Sequence, residues 1–194
     1  SRVKAAEYDW PLARAKHWAL NSDPGWTTNG LWEFGVPLGG GTSGGRDPSY
    51  VTTGNNVYGY NLAGDYEKGI TNALTTLAID CSNFTKTQLR FRRWLTLDSG
   101  DSSIQMSTDG SSWTDVWGVK DYYGNTVRDT SWKLRQYDIS SVADGQSTVY
   151  IRWVMGPISN ESWTDTWGGW NIDDIEIWSS VALPLTHSEP SWAF

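Results

Sequence analysis

The chain has 194 residues, and its 22 acidic and 15 basic side chains give a net charge of −7 at neutral pH. This acidity argues against general nucleic-acid binding. Fourteen Trp and nine Tyr, against four Phe, favour half-wet surfaces and sugar-like ligands, because these rings join an apolar body to a polar group. No apolar stretch is long enough for a membrane span, so we expect no membrane insertion.

Taken in order, the chain predicts short strands separated by turn residues. The predicted strands cover residues 17–20, 31–35, 56–60, 73–79, 88–97, 104–106, 113–117, 132–139, 148–155 and 168–178. No window sustains a helical period. Residues 1–16 are predicted as an N-terminal lead-in segment, and 181–194 as a linker or docked tail. The pattern predicts an all-β fold, a two-sheet antiparallel jelly-roll sandwich over residues 17–180.

The last predicted strand contains a conflict in its alternation. Strict alternation places Asp173 on the face of Ile175 and Ile177, and Asp174 on the face of Ile172. One carboxylate must therefore point toward the packed side unless a bulge redirects it. Because a buried carboxylate is costly when unpaired, we expect a cation, or a hydrogen-bonded substitute, beside Asp173 and Asp174.

Five ordered motifs resemble one family of domains. They are Asp23-Pro24-Gly25-Trp26, Trp32-Glu33-Phe34-Gly35, the segment from Asn55 to Tyr66, Ser107-Thr108-Asp109-Gly110 with Trp113, and Trp170-Asn171-Ile172-Asp173-Asp174-Ile175. Over residues 17–178 the pattern resembles the jelly-roll accessory domains related to MAM domains, which are appended to secreted bacterial hydrolases, including immune-inhibitor-type metallopeptidases. The resemblance implies a secreted, extracellular β-sandwich module.

The resemblance also implies a structural calcium ion. By the family pattern its ligands would be Glu33, Asp47 and one of Asp173 and Asp174. Calcium takes six to eight oxygen ligands, and the Gly-rich loop near Asp47 offers backbone carbonyls. The alternative is that the aspartate pair caps a turn and accepts hydrogen bonds from backbone amides. The disulfides of animal MAM domains cannot form, because Cys81 is the single cysteine.

Sequence motifs for catalysis are missing. The two histidines, His17 and His187, form no metal-hydrolase motif, and no serine-nucleophile motif occurs. A pair of carboxylates could serve glycoside hydrolysis, but nothing else in the chain supports separate acid and base roles. We therefore expect a protein that is not an enzyme.

Two sets of residues are candidates for ligand binding. Arg90, Arg92 and Trp94 share one face of a predicted strand, and Arg152 lies on another strand that could be its neighbour. Such a strip could bind an acidic polysaccharide, because guanidinium groups recognise carboxylate or sulfate and aromatic rings stack on sugars. The alternative is that these arginines pair with acidic residues of the same sheet, for example Glu176.

The second set is Trp163 and Trp167, in a polar loop just before the last strand. Aromatic residues on a loop at the end of a sandwich can form a ligand platform, or they can fold back to close the core.

Together these features predict a non-catalytic, calcium-stabilised binding module of a larger secreted protein, which recognises a polysaccharide or cell-surface glycan. A catalytic domain in the same parent chain is a further expected partner. The alternatives are a protein-contacting accessory domain of a secreted metallopeptidase, and a structural spacer.

Overall fold

A computed structural model describes residues 11–42, 44–98, 100–120, 126–158, 160 and 165–181, with Val181 described by its backbone only. The described residues form twelve strands and one short helix. The strands are β1 (Ala13–Trp18), β2 (Thr27–Thr28), β3 (Trp32–Gly35), β4 (Val57–Tyr60), β5 (Asn72–Thr75), β6 (Phe84–Leu97), β7 (Ser102–Ser107), β8 (Thr114–Val119), β9 (Val127–Arg128), β10 (Lys133–Asp138), β11 (Tyr150–Met155) and β12 (Gly169–Val181). The helix is α1 (Ser140–Ala143), between β10 and β11.

The strands make two antiparallel sheets. In the first, seven-stranded sheet the order is β10-β6-β12-β4-β3, with β1 beside β12 and β9 beside β6. In the second, five-stranded sheet the order is β2-β5-β11-β7-β8. The prediction of an all-β, two-sheet antiparallel sandwich is confirmed.

The core lies between the two sheets and is rich in aromatic residues. On β6 the side chains of Leu89, Phe91 and Leu95 are fully buried, as the alternation predicts. Trp26 enters the core from the loop before β2. Its ring stacks between Tyr58 of the first sheet, at 5.3 Å, and Trp153 of the second, at 5.8 Å. Many of the fourteen tryptophans therefore hold the sheets together and do not face solvent.

The N-terminal region differs from the prediction. Residues 13–16 were expected in the lead-in segment, but they form most of β1, which pairs with β12. Ala13 to Lys16 show no apolar alternation because most of β1 is solvent-exposed, so hydrophobic periodicity could not identify the strand. Residues 1–10 and 182–194, which contain the rest of the lead-in segment and nearly all of the tail, lie outside the described residues.

In the part of the chain that the structure describes, helical structure is limited to four residues. The helix α1 follows β10 and was not predicted, because one turn is too short to show a period. Within the described part of the chain, no helix is both long enough and apolar enough to cross a membrane.

Candidate functional site

The conflict in the last strand is resolved by a bulge. The pairing of β12 with β6 shifts between Asp173 and Glu176, and Asp174 takes a left-handed backbone conformation with φ of 48°. Aspartate tolerates this region better than most residues. As a result Ile172 and Ile175 both point into the core, while Asp173 and Asp174 both point to the outer face of the seven-stranded sheet. The bulge keeps both carboxylates out of the core.

Hydrogen bonds from one loop satisfy these carboxylates. The backbone N–H and the hydroxyl of Thr52 donate to Oδ2 of Asp173, at 2.8 and 2.6 Å. The hydroxyl of Thr53 donates to Oδ1 of Asp174 at 2.6 Å, and Nε2 of His17 lies 3.2 Å from the same oxygen. Burial raises the pKa of Asp173, and the hydrogen bonds from Thr52 partly offset that rise. Hydrogen-bond donors of this loop therefore lie beside the pair.

A different carboxylate is buried without full satisfaction. Asp47, in the Gly-rich loop, is 4% exposed, and its Oδ1 accepts a 2.6 Å hydrogen bond from Nδ2 of Asn171. Its Oδ2 and the Oδ1 of Asn171 are both buried acceptors with no hydrogen-bond partner. Desolvation raises the pKa of Asp47 to about 8, with further contributions from the charges of Asp65 and Glu33. Two neighbouring unpaired acceptors in acidic surroundings suit a hard cation.

This geometry changes the expected metal-ligand set. Among the described residues, no three Asp, Glu, His or Cys side chains are grouped closely enough to form a metal site by themselves. Asp173 and Asp174 accept hydrogen bonds from Thr52 and Thr53, and among the described residues they form no three-residue group with Asp47 and Glu33. Asn171 takes their place beside Asp47. Since calcium accepts amide and backbone carbonyl oxygens as well as carboxylates, the residues around Asp47 fit such an ion.

Next to the bulge, a groove crosses the outer face of the seven-stranded sheet. It has a volume of about 360 Å³ and is lined by Arg14, His17, Thr53, Arg90, Arg92, Leu134, Asp174, Glu176 and Trp178. The side chain of Leu134 is 54% exposed and gives the groove an apolar patch on β10. We call this the sheet-A groove, where sheet A is the seven-stranded sheet. Sequence analysis missed the lining residues on β1, β10 and the end of β12. Which residues line one groove depends on the order of strands in the sheet, and the sequence pattern does not give that order.

The two predicted arginines of β6 both lie in the sheet-A groove. The guanidinium of Arg90 lies 4.2 Å from the centroid of the Trp178 ring. Arg92 is half-buried, and its Cα pairs with that of Leu134 on β10. Glu176 is the Cα partner of Arg90, yet its carboxylate accepts hydrogen bonds from Arg14, at 2.9 Å, and from the Trp178 ring, at 2.6 Å. The pairing with Glu176 that was the alternative for these arginines is therefore not formed.

Trp94 continues the same face of β6 but is largely covered. It is 8% exposed, and its ring meets Tyr50 and Trp132 edge-on, with centroids 6.0 Å away in each case. The ring nitrogen of Trp94 donates to the backbone oxygen of Arg46, at 2.8 Å. Tyr50 is 53% exposed and Trp132 is half-buried, so these two rings, and not Trp94, present aromatic surface beyond Arg92.

Two other predicted ligand-binding residues, Arg152 and Trp167, do not join this site. Arg152 lies on β11 in the five-stranded sheet, so the expectation that its strand neighbours β6 was wrong; its guanidinium covers the ring of Trp113 at 3.9 Å. Trp167 is 7% exposed and packs into the core, so it folds back and is not a platform. Trp163 lies outside the described residues. Alternation defines the two faces of a strand, but it does not define the sheet that the strand joins.

The fold belongs to the class of two-sheet β-sandwiches that includes carbohydrate-binding modules. The xylan-binding domain CBM22-1 of Xyn10C from Paenibacillus barcinonensis superposes with a TM-score of 0.50 at 13% identity, covering 88% of this chain and 97% of that domain. The C-terminal family 22 carbohydrate-binding module of Xyn10B from Clostridium thermocellum gives a TM-score of 0.49 at 12% identity, covering 88% of this chain and 97% of the module. At 13% identity, the similarity to the CBM22-1 domain shows a shared fold and does not show a shared ligand.

A relative found by sequence comparison is named as a peptidase and not as a carbohydrate-binding module. Bacillopeptidase F from Bacillus subtilis strain 168 is 30% identical over 158 residues, which are 79% of this chain. The chain spans about a tenth of the length of that relative, with 10% covered. No family model matches the chain.

Proposed function

We propose that this chain is a non-catalytic polysaccharide-binding module of a larger secreted protein. The observation that carries the proposal is the sheet-A groove, which combines an exposed apolar patch at Leu134 with hydrogen-bonding groups of Arg90 and Arg92. Sugar sites need this combination of ring-sized apolar surface and directed polar groups. The likeness of the fold to a xylan-binding domain supports the proposal.

The state of the groove carboxylates supports a binding role and not hydrolysis. A glycosidase needs two carboxyl groups with separate acid and base or nucleophile roles. In the sheet-A groove the carboxylate of Glu176 is held by Arg14 and Trp178, and that of Asp174 by Thr53 and His17. Neither is available to reacting atoms without breaking these contacts.

A structural calcium ion is part of the same proposal. Asp47 and Asn171 would hold it through their unpaired oxygens, with Glu33 and Asp65 adding negative charge nearby. The ion would neutralise a buried carboxylate and tie the Gly-rich loop to β12. The calcium would thus stabilise the loop that runs across the sheet and carries Tyr50, Thr52 and Thr53.

The match to bacillopeptidase F supports a second candidate, a MAM-like accessory domain that contacts the catalytic part of a secreted peptidase. Val36 and Leu38, on the loop after β3, are 56% and 65% exposed and could contribute to such a contact. This candidate predicts that the domain binds its parent's catalytic region and retains no polysaccharide.

A panel of insoluble and soluble polysaccharides, tested by pull-down and affinity electrophoresis, distinguishes the two candidates. Replacing Trp132 by Ala should weaken retention by the bound polysaccharide at least tenfold, because the variant loses aromatic surface next to the sheet-A groove. Trp113→Ala is the matched control, since Trp113 is also half-buried but lies beside the five-stranded sheet. Melting curves of both variants check that each is folded. Equal loss of binding in the two variants, or no retention on any polysaccharide, would overturn the proposal.

A further inference from the structure

The sheet-A groove holds two arginines whose charges are not matched by carboxylates. We infer that the groove recognises the carboxylates of a uronate-containing polysaccharide through Arg90 and Arg92. This inference rests on the proposed function and narrows its ligand class from polysaccharides in general to acidic ones.

The acidic residues nearest to these arginines are engaged elsewhere. Glu176 is the Cα partner of Arg90, but its carboxylate is taken by Arg14 and by the ring nitrogen of Trp178. Asp173 is the Cα partner of Arg92, but its carboxylate is taken by the loop at Thr52. Arginines on a sheet are often paired with acidic side chains of the neighbouring strand. Neither Arg90 nor Arg92 forms such a pair with its partner on β12.

The guanidinium of Arg90 is held in place by its neighbours, and some of its N–H groups donate no hydrogen bond to the described residues. Its guanidinium lies over the Trp178 ring, and one terminal nitrogen donates to Oε1 of Gln88 at 3.3 Å. Its Nε is buried, so a ligand cannot reach it, and the terminal nitrogens are the donors that face the groove. A stacked guanidinium loses little further freedom when it binds an oxyanion, so a ligand carboxylate would find these terminal donors already oriented.

Arg92 has no hydrogen-bonding or ionic side-chain partner among the described residues. It lies two positions beyond Arg90 on the same face, so the two Cα atoms are about 7 Å apart along the strand. Three arginines and two carboxylates line the groove in a chain whose net charge is −7. The groove is therefore locally basic on an acidic molecule, which favours an anionic ligand there.

The geometry favours sugar carboxylates over other anions. A guanidinium fork matches a planar carboxylate through two parallel hydrogen bonds. The exposed side chain of Leu134 beside Arg92, and the rings of Trp132 and Tyr50 beyond it, offer surface for pyranose rings next to the charged positions. A polymer of pyranose rings that carry carboxylates can use both features at once.

The decisive ligands are polygalacturonate and its fully methyl-esterified form, which share one backbone and differ in charge. Titration calorimetry with the whole chain should show polygalacturonate binding at least tenfold more tightly than the ester. Affinity for polygalacturonate should fall as salt rises, while affinity for the uncharged ester should change little. Equal affinity for acid and ester would overturn the inference while leaving the proposed function intact. No binding to any glycan would instead overturn the proposed function.

Variants locate the site. Arg92→Gln and Arg90→Gln should each weaken polygalacturonate binding about tenfold. Arg152→Gln, a half-buried arginine on the five-stranded sheet, is the control and should bind like the wild type. Equal losses in Arg92→Gln and Arg152→Gln would overturn the assignment to this groove.

Two competitor anions test the ligand class. Dextran sulfate should compete less well than polygalacturonate, and tighter binding of the sulfate would overturn the choice of carboxylate. Poly-glutamate supplies carboxylates without sugar rings, and if it bound as tightly as polygalacturonate the groove would be a site for acidic protein segments. Because these comparisons need only the wild-type chain, they decide the inference even if a variant fails to fold.

Discussion

Replacement of Asp47 by Asn tests the reasoning about the buried carboxylate. Asn keeps the shape of the side chain and can still accept the hydrogen bond from Asn171, but it carries no charge. In the metal-free wild type, burial raises the pKa of Asp47 from 3.8 to about 8. The folded state must therefore keep this carboxyl protonated at pH values where the unfolded chain ionises it.

The sign and size of the effect follow from linkage. The raised pKa gives stability that is fully present below about pH 4 and is lost as the pH rises toward 8. At pH 7 the difference from the unfolded pKa is about three units, so at 1.36 kcal/mol per unit the loss is about 4 kcal/mol. For a domain of this size that corresponds to roughly 10 °C in melting temperature. The Asp47→Asn variant should lack this loss.

Calcium should narrow the difference in stability between the wild type and Asp47→Asn. An ion that binds only the folded state at a hundred times its dissociation constant adds about 2.7 kcal/mol, so calcium should raise the melting temperature of the wild type at pH 7. The Asp47→Asn variant should show little or no such increase. Exposed Asp115, replaced by Asn, is the control and should behave as the wild type does with and without calcium.

The assay is urea and thermal unfolding of metal-depleted protein between pH 4 and 8, repeated with added calcium. If the free energy of unfolding varied with pH in the same way for the wild type and Asp47→Asn, burial of the Asp47 carboxyl would not destabilise the fold. A full calcium response in Asp47→Asn would show that Asp47 is not a ligand. Either result would refute the corresponding step.

Two further predictions concern stability. Asp129→Ala should lower the free energy of unfolding by about 3–5 kcal/mol, because it leaves the buried guanidinium of Arg93 and the backbone N–H of Leu95 without their acceptor; urea unfolding measures this, and a loss below about 1 kcal/mol would contradict the burial of the pair. Thr52→Val should cost about 1–3 kcal/mol by removing the hydroxyl that donates to Asp173, whereas Thr52→Ser should retain most of the stability. Equal unfolding midpoints for Thr52→Val and Thr52→Ser would argue that this hydroxyl contributes nothing.

Strand faces could be predicted from the sequence where alternation is regular. On β6 the assignment of Leu89, Phe91, Arg93 and Leu95 to one face and Arg90 and Arg92 to the other is confirmed. The same assignment placed Arg93 toward the core. Its partner could not be predicted, because Asp129 lies 36 residues away, beside the two-residue strand β9, where no local pattern exists.

The bulge in β12 could be anticipated but not located. Two adjacent carboxylates in an apolar strand are incompatible with strict alternation, so some irregularity was required. Which residue would take the left-handed conformation depends on where the loop donors lie. Thr52 and Thr53 reach both carboxylates only after Asp174 turns outward, and a contact between residues more than 100 positions apart leaves no trace in spacing.

Sheet membership was the larger obstacle for the site. Arg152 shares with Arg90 and Arg92 an outward position on a regular strand, and by sequence the three are equivalent. The structure separates them because β11 pairs with β5 and β7, whereas β6 pairs with β10 and β12. Strand order is determined by which strands pair across the whole chain, so a binding strip that spans several strands cannot be assembled from faces alone.

Arg90 of β6 does not pair with Glu176 because of strand β1, which the sequence analysis missed. β1 pairs along β12 on the side away from β6, with Arg14 and His17 in register with Trp178 and Glu176. Arg14 then takes the carboxylate of Glu176, which would otherwise have Arg90 as its nearest cationic neighbour across the sheet. If β1 were absent, Arg90 would be expected to pair with Glu176, its Cα partner on β12. With β1 present, the carboxylate of Glu176 is drawn toward β1, and the guanidinium groups of Arg90 and Arg92 have no carboxylate partner among the described residues.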